Sequence, residues 1–210
     1  MATIWLTPLI LLSGALHIRA EYRGPRSRVY LLKPLTTSLI VLLALLSQDP
    51  ISGIYKWSLV AGLLLSLGGD VFLMLPQDHF LAGLSSFLLA HLAYILAFTG
   101  DTRGVMNPWL AIPFLLLAFG LYLYLSPHLD RHRIPVLIYA LIICSMAWAA
   151  WGRWLALGGT NELVAAIGSL LFLISDFILA YDRFRRHVEW GQLAILSSYY
   201  LAQLLLASSI

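Results

Sequence analysis

Residues 53–75, GIYKWSLVAGLLLSLGGDVFLML, place one carboxylate, Asp70, deep in a run that is otherwise long and apolar enough to cross a bilayer. A hydrocarbon core about 30 Å thick asks for roughly 20 apolar residues per helix. Comparable runs lie at 2–17, 29–47, 79–99, 108–126, 134–152, 161–182 and 190–208, making eight in all. With 60% hydrophobic and 11% charged residues, the chain of 210 residues has too little polar surface to coat a soluble globule. The fold predicted is all-α, a polytopic membrane bundle of about eight transmembrane helices. Short loops make it a single integral membrane domain, 1–210.

Breaks between the runs coincide with Gly24-Pro25, Asp49-Pro50, Pro76, Asn107-Pro108 and Gly158-Gly159. Pro34 reads as part of the first turn of the second helix, where a missing N–H does no harm. The first run has neither a basic residue before it nor a small-residue cleavage pattern after it, so it is read as a helix and not as a leader. Arginines gather after the odd runs (Arg19, Arg23, Arg26, Arg28, Arg131, Arg133, Arg183, Arg185, Arg186), whereas Lys56, Arg103 and Arg153 follow the even ones. The loop with Asp78 and His79 carries no basic residue. The positive-inside rule then predicts a multi-pass protein of the plasma (inner) membrane with both termini outside the cytoplasm. A net charge of +3 spread over such loops is a topology signal and does not point to nucleic acid. The lone Cys144 supports neither a disulfide framework nor a zinc cluster.

An offset of 106 residues aligns Gly62-x7-Asp70-Val-Phe-Leu with Gly168-x7-Asp176-Phe-Ile-Leu, and pairs Tyr94 with Tyr200. This predicts two four-helix repeats, 1–105 and 106–210, sharing one orientation because four crossings return the chain to its starting side. Asp70 and Asp176 are then counterparts.

Charge in hydrocarbon is expensive, so an intramembrane carboxylate faces the bundle interior or a polar cavity and is a functional candidate. Asp70 and Asp176 lie about five or six residues from the cytoplasmic ends of their spans, about 8–9 Å deep at 1.5 Å per residue. Gly62, Ser66 and Asp70 recur every four residues, a small-residue stripe suited to close helix approach. Structural pairing of these acids, for instance with Lys33, is the competing explanation. Lys33 could bind a lipid phosphate or snorkel to the surface. On the fourth run Phe87, His91, Tyr94 and Phe98 share a stripe, and on the eighth Gln192, Tyr199 and Gln203 do so. Lys33 and, from these stripes, His91, Tyr94, Tyr199 and Gln203 are the candidate substrate-binding residues. His17, His79, His128, His132 and His187 are read as loop or helix-end residues without ligand spacing, so neither a metal site nor a cofactor is expected.

The segments Lys33-Pro34-Leu35-Thr36-Thr37, Leu64 through Met74 (LLSLGGDVFLM), Phe87 through Tyr94 (FLLAHLAY) and Ser175 through Ala180 (SDFILA) together resemble the YhhN family, which includes the lysoplasmalogenases. The resemblance spans nearly the whole chain. It implies hydrolysis of the vinyl-ether bond of lysoplasmalogens, with release of a fatty aldehyde and a glycerophospho-headgroup. It also matches the family's paired aspartates to Asp70 and Asp176, and its Lys-Pro, His and Tyr positions to Lys33, Pro34, His91 and Tyr94. The partners implied are a lysophospholipid substrate and membrane lipids. Vinyl-ether cleavage needs a proton donor and a nearby negative charge, and two carboxyls in different protonation states supply both. A proton-coupled transporter or lipid flippase using the same buried acids is the alternative.

Overall fold

The computed structural model describes residues 2–48, 50–77, 79–101 and 107–210; Asp49, Asp78 and Arg103, named above, fall outside them. Among the described residues eight α-helices follow one another: α1 (Ala2–Arg23), α2 (Arg26–Leu45), α3 (Gly53–Met74), α4 (Phe80–Thr99), α5 (Ala111–Leu125), α6 (Arg133–Leu157), α7 (Thr160–Phe184) and α8 (Gly191–Ser208). Six of them, α2 to α7 with their flanking 3-10 turns, are long and apolar enough to cross a membrane by length and composition. The apolar runs of the sequence therefore coincide with helices. Leu31, Leu116, Ile134 and Trp57 stand well exposed on the outer surface, as side chains facing lipid would.

Polarity is unevenly shared. α8 packs on α1, α2, α3 and α7. Its tyrosines, Gln203 and the neighbouring Ser209 are all buried. A helix enclosed by other helices can carry polar groups so long as they find partners, and here they do: Tyr55 and Ser209 share a 2.8 Å hydrogen bond. α5 is the opposite case. Packed chiefly on α6, it buries only Ala118 and Leu125 among its residues.

Several helices outrun the apolar spans. α1 continues to Arg23, so His17 is not an end residue. It is fully buried, and its Nδ1 lies 2.8 Å from the Tyr200 hydroxyl. α2 begins at Arg26, which puts Pro34 inside the helix and not in its first turn. Backbone hydrogen bonding does not stop where hydropathy falls, because polar residues at the interface extend a helix as readily as apolar ones. α6 likewise runs to Leu157 and ends on Gly158, whose left-handed φ of 72° lets its N–H reach the Trp154 carbonyl at 2.7 Å.

That extension converts Arg153 from a loop residue into a buried one. It ion-pairs with Asp101, sits 3.8 Å from Glu162 and lies over the Tyr55 ring at 4.7 Å. Lys56 also has a structural task, donating to the Leu45 and Ser47 carbonyls at the end of α2. Burial alone would raise the Asp101 carboxyl, but hydrogen bonds from Arg153 and Ser52 outweigh it and hold the group below its usual value. A carboxyl depressed in the folded state contributes stability above its unfolded pKa and loses it as pH falls through the folded value. Thermal unfolding midpoints of Asp101→Asn are therefore expected to fall less steeply on acidification than those of the native protein.

Close approach of α3 and α4 rests on glycine. A Cβ at Gly62 would come within 2.2 Å of the Tyr94 ring, and one at Gly69 within 2.5 Å of Phe87. Gly168 does similar service for α7, with the Ala202 carbonyl of α8 at 3.1 Å. Gly62→Ala is expected to cost about 1–3 kcal/mol through overpacking. Gly120→Ala, with nothing within 4 Å of the new methyl, serves as the neutral control in the same detergent melts.

Candidate active site

The small-residue stripe of α3 ends at Asp70, which is 2% exposed. Three other residues converge on it. From α2, Thr37 Oγ1 donates to Asp70 Oδ2 at 2.6 Å, and Lys33 Nζ lies 3.5 Å from Oδ1. From α8, the Tyr199 hydroxyl donates to Oδ2 at 2.8 Å. Behind Tyr199 the chain of bonds continues into the core. Gln203 Nε2 donates to the Tyr199 oxygen at 3.2 Å, and the Tyr94 hydroxyl donates to Gln203 Oε1 at 2.8 Å. Ser66 approaches Tyr94 at 3.4 Å, closing the network on α3 again. A buried polar network of this kind is rigid when its donors and acceptors are matched.

Asp176, on α7, has different company. The Tyr139 hydroxyl of α6 donates to its Oδ2 in a short hydrogen bond. Both aspartates line one cavity of about 450 Å³. Its inner wall includes Phe87, Ser175, Leu179 and Tyr199, and Lys33 stands beside Asp70. Towards the arginine-rich end of the bundle the lining becomes charged, with Glu21, Arg26, Asp182 and Arg183. Tyr22 fastens this end by bonding to the Glu189 carbonyl and the Leu193 N–H. Asp182 accepts from Val188 N at 2.7 Å and meets His187 at 3.1 Å, ordering the turn into α8.

Of the residues singled out in the sequence, Asp70, Asp176, Lys33 and Tyr199 thus meet at the cavity wall, together with Gln192. Gln203 and Tyr94 are fully buried, one and two hydrogen bonds behind Tyr199 respectively, and are not among the residues lining the cavity. His91 is also fully buried, edge-on to Phe172 at 4.8 Å and Tyr139 at 5.3 Å, with both ring nitrogens lacking a hydrogen-bond partner. Two functional candidates escaped sequence reasoning. Thr37 was in view within the Lys33–Thr37 segment, but only the pairing of α2 with α3 gives its hydroxyl a carboxylate. Tyr139 offered a weaker signal, a single hydroxyl in the apolar run of α6.

A model of the YhhN family matches residues 29–210. The chain belongs to the YhhN family. The membrane protein YhhN of Escherichia coli is 28% identical over 209 residues, covering 99% of both chains. Lysoplasmalogenase TMEM86B of Rattus norvegicus is 33% identical over 206 residues, covering 98% of this chain and 83% of its own. Lysoplasmalogenase TMEM86B of Homo sapiens is 38% identical over 160 residues, 75% of this chain and 65% of its own. No solved structure matches the chain. In this YhhN-family member the tyrosine and threonine hydroxyls on Asp70 compensate a buried charge. Tyr199→Phe is therefore expected to cost about 1.5–3 kcal/mol, the value of a hydrogen bond to a charged group. Tyr94→Phe, two bonds away and between neutral groups, should cost about 1 kcal/mol. Equal melting temperatures for Tyr199→Phe and the native protein would show that Asp70 does not depend on that donor.

Proposed function

We propose that the protein hydrolyses the vinyl-ether bond of lysoplasmalogen-type lysolipids, releasing a fatty aldehyde and a glycerophospho-headgroup, with Asp70 and Asp176 as the reacting carboxyls. The observation carrying this reading is that both acids open into one cavity large enough for a small headgroup. Relatives that bear the name lysoplasmalogenase over nearly the whole chain support the choice of reaction.

The surroundings of the two acids suggest their division of labour. Lys33 and two hydroxyl donors favour the ionised form of Asp70. Asp176 is given the part of proton donor. Protonation of the outer alkene carbon by Asp176 yields an oxocarbenium ion, which the Asp70 carboxylate stabilises across the cavity. Water adds to the cationic carbon while Asp70 takes its proton, and the resulting hemiacetal collapses to the aldehyde and the free glycerol hydroxyl. Proton exchange with water in the cavity resets both acids. In this reading Lys33 holds the substrate phosphate as well as compensating Asp70, and the positive-inside rule supports assigning the arginine-rich mouth to the cytoplasmic side. Tyr94, Gln203 and His91 are assigned to support of the wall.

General acid–base groups contribute about 10²–10⁴-fold to rate. Asp70→Asn and Asp176→Asn should each lower aldehyde release by about that factor in detergent, with the helical content of the purified protein unchanged. Near-native turnover by either variant would refute the mechanism. Transport is the rival outcome: it would appear in proteoliposomes as flux dependent on a pH gradient, with no aldehyde formed in detergent.

A further inference from the structure

Beyond the charged chamber, a second and narrower space begins at the same aspartate. It is about 40 Å³ and runs between α4, α6 and α7. Leu73, Phe80, Phe87, Asp176 and Leu179 belong to the walls of both spaces, so the two adjoin along these side chains. Past Asp176 the crevice is walled by Leu84, Val136 and Ala180, with Tyr139 and Asp176 the only polar side chains along it. Another small space, against α5, shares Val136, Tyr139, Asp176 and Ala180 with the crevice but only Asp176 with the chamber. The lining therefore changes character at Asp176: mixed and charged on the chamber side, apolar apart from Tyr139 on the other.

We propose that this crevice is the hydrocarbon-chain site of the lysolipid, with the headgroup in the chamber and the first carbons of the chain between Leu84, Val136 and Ala180. This rests on the lysolipid reading above and deepens it. A single-chain amphiphile spanning the two spaces has its polar-to-apolar junction, the ether and its alkene, at Asp176. That placement explains why the proton donor would be Asp176 and not Asp70, which lies on the chamber side with Lys33. The crevice is too narrow for two chains, so a diacyl lipid is refused on shape, and the remainder of the single chain leaves between helices into the bilayer.

Two measurements test it. In the first, Val136→Trp and Ala180→Leu, each checked for a native-like melt, are assayed on lysoplasmalogens of graded chain length. Aldehyde release from long-chain substrates should fall roughly tenfold or more, the scale on which a pocket rejects added methylenes. Release from a glycerophospho vinyl ether, whose chain ends at the alkene and does not enter the crevice, should be spared. In the second, a non-cleavable ether lysolipid with a diazirine near the start of its chain is photolysed on the native protein. Peptide mapping should place the label on Leu84, which lines the crevice and not the space against α5. Labelling there without any aldehyde production from the native protein would keep the crevice and reject the hydrolase reading. Aldehyde production with the label against α5 or on the outer surface, or equal activity of both variants on every chain length, would overturn the crevice. Absence of both label and aldehyde would overturn both.

Discussion

A carboxylate withdrawn from water into an apolar bundle has to be surrounded by donors, and Asp70 meets that demand by drawing on two helices besides its own. Thr37 and Lys33 come from α2 and Tyr199 from α8. Each of these must keep its rotamer, so each is backed by something else. Tyr199 is held by Gln203, Gln203 by Tyr94, and Tyr94 fits only because Gly62 leaves room for its ring. The need to accommodate one charge therefore reaches as far as the α3–α4 contact. This is an instance of a general rule for buried ionic groups: the attraction offsets desolvation only when the geometry and the remaining hydrogen bonds are good.

The two ends of the bundle treat charge differently. At one end, Arg153 is turned inward and closed off by Asp101, Glu162 and the Tyr55 ring. At the other, Arg26 and Arg183 stand with Glu21 and Asp182 around an open cavity. Charged groups of both signs at the mouth suit a zwitterionic or phosphate-bearing head better than they suit a purely apolar ligand. The inner part of the cavity, with Phe87 and Leu179 beside the aspartates, has the mixed lining that positions a ligand through a few polar contacts while apolar surface supplies most of the contact area.

Polar residues of the sequence stripes separate into two kinds in space. Tyr199 is both wall and donor, whereas Tyr94, Gln203 and His91 lie behind the wall in the packed interior. A helical stripe records which face of a helix points inward, and inward includes both the cavity and the core behind it. Periodicity cannot separate those two because a residue one turn along the same face changes depth by about 5 Å without changing direction. His91 illustrates the limit: its stripe is shared with Tyr94, yet its neighbours are Phe172 and Tyr139 and not a substrate space.

What the sequence determined by itself was the number and approximate extent of the helices, the intramembrane position of the two aspartates, and the family. These depend on local quantities: apolar length against bilayer thickness, the cost of a charge in hydrocarbon, and short motifs in order along the chain. Ends of elements were less legible, since α1, α6 and α7 continue through arginines that hydropathy assigns to loops. Only the tertiary structure decided that Thr37 and Tyr139 join Tyr199 as the hydroxyls on the acids, that Arg153 is buried, and that both carboxyls open into one cavity with an apolar crevice beside Asp176. Those facts depend on the rotation of each helix about its axis and on which helices become neighbours. Both are set by packing among residues far apart in the chain, and no window of sequence contains them.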